Sequence, residues 1–118
     1  MRLGIVGSRY VNNSNYDEFA YLVRRYIYHH GNKMPSLIIT GDSEYIDAMA
    51  YQYSLEYNIP CIMYKDHNKD TRISRNQKMM DVCTHMIIMP SCTHDSPDAW
   101  DVIRLALKYQ KYITILYM

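Results

Sequence analysis

Four short polar segments carry most of the chemically distinctive residues of this 118-residue chain. They are Gly7-Ser8-Arg9-Tyr10, Thr40-Gly41-Asp42-Ser43, the stretch Asp66 to Arg75, and the stretch Pro90 to Asp98. An Arg directly after a strand-ending Gly-Ser, as at Arg9, is well placed to meet a phosphate, because a guanidinium fork matches phosphate oxygens. Gly7 and Gly41 serve either a tight strand-to-helix turn or a close approach of main chain to a ligand. Arg75-Asn76 also reads two ways: an exposed Arg beside a locally packed Asn, or a polar pair turned into a crevice. Helix amino ends at such segments add unpaired N–H groups and partial positive charge, which favour an anion.

The elements that must position these residues follow from the apolar pattern, which alternates between short runs and helical spacing. Arg2 to Val6 reads as a first strand. Ser14 and Asp17 look like a capping pair for a helix whose apolar face is Phe19, Leu22, Val23, Tyr26 and Ile27, with Gly31 as stop signal. Ser36 to Thr40 is a second strand. A second helix runs from near Ser43 to near Asn58, with Ile46, Met49, Ala50 and Tyr53 as its inner stripe. Pro60 leads into a third strand, Cys61 to Tyr64, and the charged stretch Lys65 to Thr71 reads as an exposed loop. A third helix spans about Ile73 to Cys83, and His85 to Met89 is a fourth strand closed by Pro90. Ser96-Pro97-Asp98 is a helix start, with Ser as N-cap and Pro at the first helical position. Val102, Ile103, Ala106, Leu107 and Gln110 continue that helix, and Tyr112 to Tyr117 is the last strand.

This alternation predicts an α/β fold: a three-layer Rossmann-like sandwich around a five-stranded parallel sheet, in one domain spanning residues 1–118. In open parallel sheets, ligands sit beyond the carboxyl ends of the strands where the strand order reverses. All four polar segments reach that edge.

Composition narrows the function classes. Apolar residues make up 48% and charged residues 21%, with a formal net charge of +1. That balance is globular and supplies no general attraction to nucleic acid or to a membrane surface. No apolar run approaches the roughly 18 residues of a membrane span. The opening Met1-Arg2-Leu3-Gly4-Ile5-Val6-Gly7 lacks the long apolar core and cleavage site of a secretory signal. Cys61, Cys83 and Cys92 are widely spaced and odd in number, which points to a reducing, cytoplasmic setting. His67, His85 and His94 lie in separate segments and His29-His30 at a helix end, so no metal ligand set is expected. Neither G-x-x-x-x-G-K-[ST], G-x-G-x-x-G nor G-x-S-x-G occurs, so no standing cofactor is expected, nor a serine hydrolase. The wealth of tyrosine, 13 residues, and of methionine, nine, is consistent with an AT-rich, viral genome.

These positions resemble the small YspA-type branch of the SLOG superfamily over nearly the whole chain. Gly7-Ser8-Arg9 is similar to that branch's G-S-R, and Thr40-Gly41 with Asp47-Ala48-Met49-Ala50 to its G-G-A-R-G-A-D-x-L-A. Asn58-Ile59-Pro60 resembles its G-I-P, and Arg75-Asn76-Gln77-Lys78-Met79 its R-N-x-x-M. Ser96-Pro97-Asp98-Ala99 stands where that branch has a serine-rich loop ending in G-T. The resemblance implies a pocket for a nucleotide or nucleotide-derived ligand, faced by Gly7, Ser8, Arg9, Gly41, Asp42, Asp47, Arg75, Asn76 and Ser91, in a self-associating protein. Asp42 replaces the second glycine of G-G, Glu44-Tyr45 the R-G, and Asp98-Ala99 the G-T. Carboxylates at these places add negative charge where a phosphate cradle would be; either they hold ribose hydroxyls instead, or the site has degenerated.

The leading expectation is therefore a nucleotide-binding sensor, carrier or sequestering module. One alternative is N-glycosidic cleavage of a nucleoside monophosphate, with Asp98 or Asp47 stabilising an oxocarbenium-like state and Arg9 or Arg75 gripping phosphate. Another is a protein-interaction role on a retained fold.

Overall fold

The computed structural model describes residues 1–7, 15–42, 45–65, 69–90 and 97–118, without the side chains of residues 69–73 and 97–98. Its elements are β1 (Arg2–Gly7), α1 (Tyr16–His29), β2 (Leu37–Thr40), α2 (Ile46–Glu56), β3 (Cys61–Met63), α3 (Lys69–Val82), β4 (His85–Met89), α4 (Pro97–Lys108) and β5 (Tyr112–Ile115). The five strands form one sheet in the order β3-β2-β1-β4-β5, and every neighbouring pair is parallel.

Both faces of the sheet are covered, which is why its central strands are apolar on both sides. Leu3, Ile5, Ile38, Ile87 and Met89 pack against Phe19, Val23 and Ile27 of α1 and Ile46, Met49, Ala50 and Tyr53 of α2. Val6, Ile39, Met86 and Ile88 point the other way, onto Met79 and Met80 of α3 and Val102, Ile103 and Ala106 of α4. Two helices on each face is the arrangement that right-handed crossovers require for this strand order. The three-layer Rossmann-like sandwich expected from the sequence is the fold observed.

The chain runs outward from β1 to β2 to β3, then returns through α3 to β4 on the far side of β1. The strand order therefore reverses between β1 and β4, whose carboxyl ends meet where Gly7 pairs with Met89. Thr40 pairs with Ile5, so β2 ends one strand away at nearly the same height. Its hydroxyl donates to the Ile5 carbonyl at 2.6 Å, which satisfies a buried polar group inside the sheet.

Several boundaries differ from the sequence expectation, the end of β5 at Ile115 rather than Tyr117 among them. The N-cap of α1 is Asn15, whose Oδ1 accepts from the Asp17 and Glu18 amides at 2.8 and 3.2 Å. Ser14, the expected cap, lies outside the described residues, and Asp17 is an amide donor within the first turn. Helix α2 opens at Ile46 rather than near Ser43. Helix α3 begins at Lys69, inside the stretch expected to be loop. A polar run such as Lys69-Asp70-Thr71-Arg72 carries no apolar period, so the sequence gives no helical signal there. Gln110 lies beyond α4, at φ 56°, where Gln110 and Lys111 amides close the helix by donating to the Leu107 and Ala106 carbonyls. Gly31 closes α1 at φ 95°, as expected of a glycine stop.

Candidate functional site

Gly7 ends β1 at the reversal point, and its missing side chain is filled from within the protein. A Cβ built there would lie 2.3, 2.4 and 2.7 Å from three atoms of Ile46. Ile46 is the fully buried first residue of α2, so glycine lets the start of that helix seat on the end of β1. The close approach at Gly7 is thus to the chain itself. Its backbone φ is not in the left-handed region; Gly31 alone among the described glycines is.

Gly41 follows β2 directly and does a parallel job with polar neighbours. A Cβ there would lie 2.6 Å from Asp47 Oδ2 and 2.8 Å from Arg75 Nη1. Asp47 comes from the first turn of α2 on one face of the sheet, and Arg75 from the middle of α3 on the other. Removing one side chain from the end of β2 therefore lets a carboxylate and a guanidinium meet over the sheet edge. Both are deeply buried, Asp47 at 2% and Arg75 at 8% exposure.

Arg75 is held by its own neighbour. Asn76 Oδ1 accepts from Arg75 Nε at 3.2 Å and from Nη2 at 3.0 Å, and Asn76 is 3% exposed. The reading of Arg75 as an exposed surface charge is excluded; it is the inward-turned polar pair. Burying a charge is tolerated only where opposite charge and hydrogen bonds replace water, and Asp47 and Asn76 supply both. Asp42, next along the chain, is exposed.

The structure thus gathers Gly41, Asp47, Arg75 and Asn76 at one corner, with Asp42 outward beside them and Gly7 at the adjacent strand end. Ser8, Arg9 and Ser91 lie outside the described residues. Asp98 falls in the first turn of α4, and its side chain is not among those described. Thr40 and Ile46 were not singled out as site residues. Thr40 had a weak signal, a hydroxyl in an otherwise apolar strand; Ile46 had none beyond its place in the inner stripe.

The opposite, amino edge of the sheet holds an unexpected aromatic stack. The ring of His30 lies 4.0 Å from Tyr26 and 5.9 Å from His85, which in turn stacks on Tyr112 at 5.0 Å. Burial first, then the nearby His30 and the chain amino terminus, pull the His85 pKa below its ordinary value. Among the described residues no three His, Cys, Asp or Glu side chains gather as a metal ligand set. Nor is any described helix long and apolar enough to cross a membrane.

The class defined by fold and corner is a doubly wound parallel α/β sandwich with a buried Asp–Arg–Asn cluster at its carboxyl edge. Beyond that class, no family model, curated protein or solved structure matches the chain.

Proposed function

We propose that the domain binds a nucleotide or nucleotide-derived small molecule at the carboxyl edge of its sheet. The observation that carries this reading is the convergence of Asp47 from α2 and Arg75 from α3 on Gly41 at the end of β2, with Asn76 holding Arg75. Polar side chains are expensive to bury, and here they are buried at the edge where parallel sheets take their ligands, one strand from the reversal point. The likeness of Gly7-Ser8-Arg9, Asp47 and Arg75-Asn76 to SLOG motifs supports the same proposal, which includes self-association of the chain. The free thiols of Cys61 and Cys83 fit a cytoplasmic setting.

The test is a thermal-shift and calorimetric screen of the full chain against nucleosides, nucleotides, cyclic nucleotides and ADP-ribose derivatives. A bound ligand raises Tm by mass action, by about 2.7 kcal/mol of stability at a hundred times its Kd. Silence across that panel contradicts the proposal and leaves the Asp47–Arg75–Asn76 cluster as a staple between α2 and α3.

N-glycosidic cleavage is the second reading, favoured by the same juxtaposition of a carboxylate, Asp47, with a guanidinium, Arg75. Release of free base from nucleoside monophosphates tests it directly; turnover absent from all of them rejects it.

A further inference from the structure

The two edges of the sheet are not alike. At one edge β3 is only Cys61–Met63, with Pro60 just before it and Lys65 shortly after. Short length, proline and charge are the devices that keep an edge strand from pairing with another chain. At the other edge β5 opens the run Tyr112-Ile113-Thr114-Ile115-Leu116-Tyr117-Met118, which holds neither charge nor proline. Parallel sheets are covered on both faces, yet every residue of this run is half-buried or exposed. The Leu116 amide donates to the Ile88 carbonyl of β4 at 3.0 Å. Main-chain direction alternates along a strand that is bonded on one side, so Ile113 and Ile115 turn their N–H and C=O groups outward, a template for another strand.

Helix α4 extends the same surface. Trp100 and Leu107 stand two turns apart on one flank and are exposed, while Leu105 on the other flank packs into the core. A right-handed crossover from β4 to β5 turns the Trp100–Leu107 flank away from α3 and over the β5 edge. Tyr112, Ile115, Tyr117, Trp100 and Leu107 are between 39% and 72% exposed. At about 150–250 Å² for a large side chain, their open fractions come to roughly 550 Å² on one copy. Two copies joined here bury about 1,100 Å² from these side chains, and the half-buried residues of β5 bring the total to the lower end of the about 1,200–2,000 Å² that specific interfaces bury.

The strand is also complementary to itself. Ile113-Thr114-Ile115 reads the same in both directions. Turned about Thr114 and laid antiparallel, it sets Ile113 against Ile115 of a second copy, Thr114 against Thr114 and Tyr112 against Leu116. The isoleucine pairs exchange both main-chain hydrogen bonds, and no like charges meet across the seam. Such a contact uses one patch on both copies and closes at two.

We infer that β5 pairs antiparallel with β5 of a second copy, joining two five-stranded sheets into one across a two-fold axis, with Trp100 and Leu107 packed over the seam. This rests on the self-association proposed above and names its surface.

Sedimentation velocity and amide hydrogen exchange of the full chain, each run over a range of protein concentration, separate the outcomes. The expected result is a monomer–dimer equilibrium with a Kd in the micromolar range. The Ile113 and Ile115 amides exchange more slowly as dimer forms, while the Leu116 amide, bonded to Ile88 in either state, is unchanged. Leu107→Lys, exposed and outside the strand, raises Kd by about ten-fold or more with the Tm of the monomer unchanged, and Ile115→Lys raises it likewise at the seam. A dimer that keeps its Kd in both variants, with Ile113 and Ile115 exchanging at one rate at all concentrations, overturns the inference but leaves self-association standing, as does an assembly that grows beyond two copies. A chain still monomeric at about 1 mM, its edge left to some other partner, overturns both.

Discussion

Replacing Gly41 by Ala tests the packing of the corner with a single methyl group. The added Cβ would lie 2.6 Å from Asp47 Oδ2 and 2.8 Å from Arg75 Nη1, so each group must recede by about 0.6–0.8 Å to reach ordinary contact. Neither recedes freely. Asp47 stands on the first turn of α2, and Arg75 is pinned by Asn76 at 3.0 and 3.2 Å. Overpacking of this kind costs about 1–3 kcal/mol, and weakening a hydrogen bond to a buried charge about 1.5–3 kcal/mol. These overlap, and a net loss of about 3 kcal/mol is expected. At about 4 °C per kcal/mol for a domain of this size, Tm falls by about 12 °C. Circular dichroism against temperature, with urea unfolding as a second measure, reads both values. A drop of under about 2 °C would show that Asp47 and Arg75 are not packed against Gly41, and the reasoning would fail.

Three further outcomes can be checked with the same methods. Asn15→Ala removes the acceptor for the Asp17 and Glu18 amides and costs about 1 kcal/mol in urea unfolding, whereas Asn15→Asp retains stability. Tyr53 is fully buried, its hydroxyl has no hydrogen-bond partner among the described residues, and burial pushes its pKa up to about 12; Tyr53→Phe is therefore neutral or stabilising by up to about 1 kcal/mol, and a loss of more than about 1 kcal/mol contradicts the assignment. His85 has its pKa lowered in the folded state, so below the ordinary value near 6.5 the unfolded chain binds more protons than the folded one. Its contribution is present in full above about pH 6.5 and is lost as pH falls toward the folded-state pKa. Unfolding midpoints measured down to pH 5 should fall less steeply in His85→Gln than in the parent chain; equal slopes would exclude His85 as the cause.

Strand placement was legible because each strand is an apolar run: β4 occupies His85–Met89, as its sequence suggests, and the inner stripe Ile46, Met49, Ala50 and Tyr53 of α2 is buried. The polar start of α3 was not legible, whereas Pro97 was legible as the first residue of α4. Lys69 to Arg72 carries the composition of a loop, and only the tertiary fold makes it the start of α3. The candidate site was legible as a set of positions along one edge, since Gly41 and Arg75-Asn76 stand beside or beyond strand ends. What those residues do there was not. A glycine says that a side chain is unwelcome without saying what fills the space, and the answers, Ile46 for Gly7 and Asp47 with Arg75 for Gly41, come from other elements. The seating of His85, edge-on to His30 and stacked on Tyr112, is hidden for the same reason, as it joins the end of α1 to β4 and β5.

Amide chemical-shift mapping of the isotope-labelled chain during titration with the best-binding member of the nucleotide panel bears most directly on the carboxyl edge as the binding face. Shifts should cluster on Gly41, Asp42, Asp47, Arg75 and Asn76, with His30, His85 and Tyr112 at the far edge unmoved. Shifts confined to that far edge, or none at saturating ligand, would contradict it.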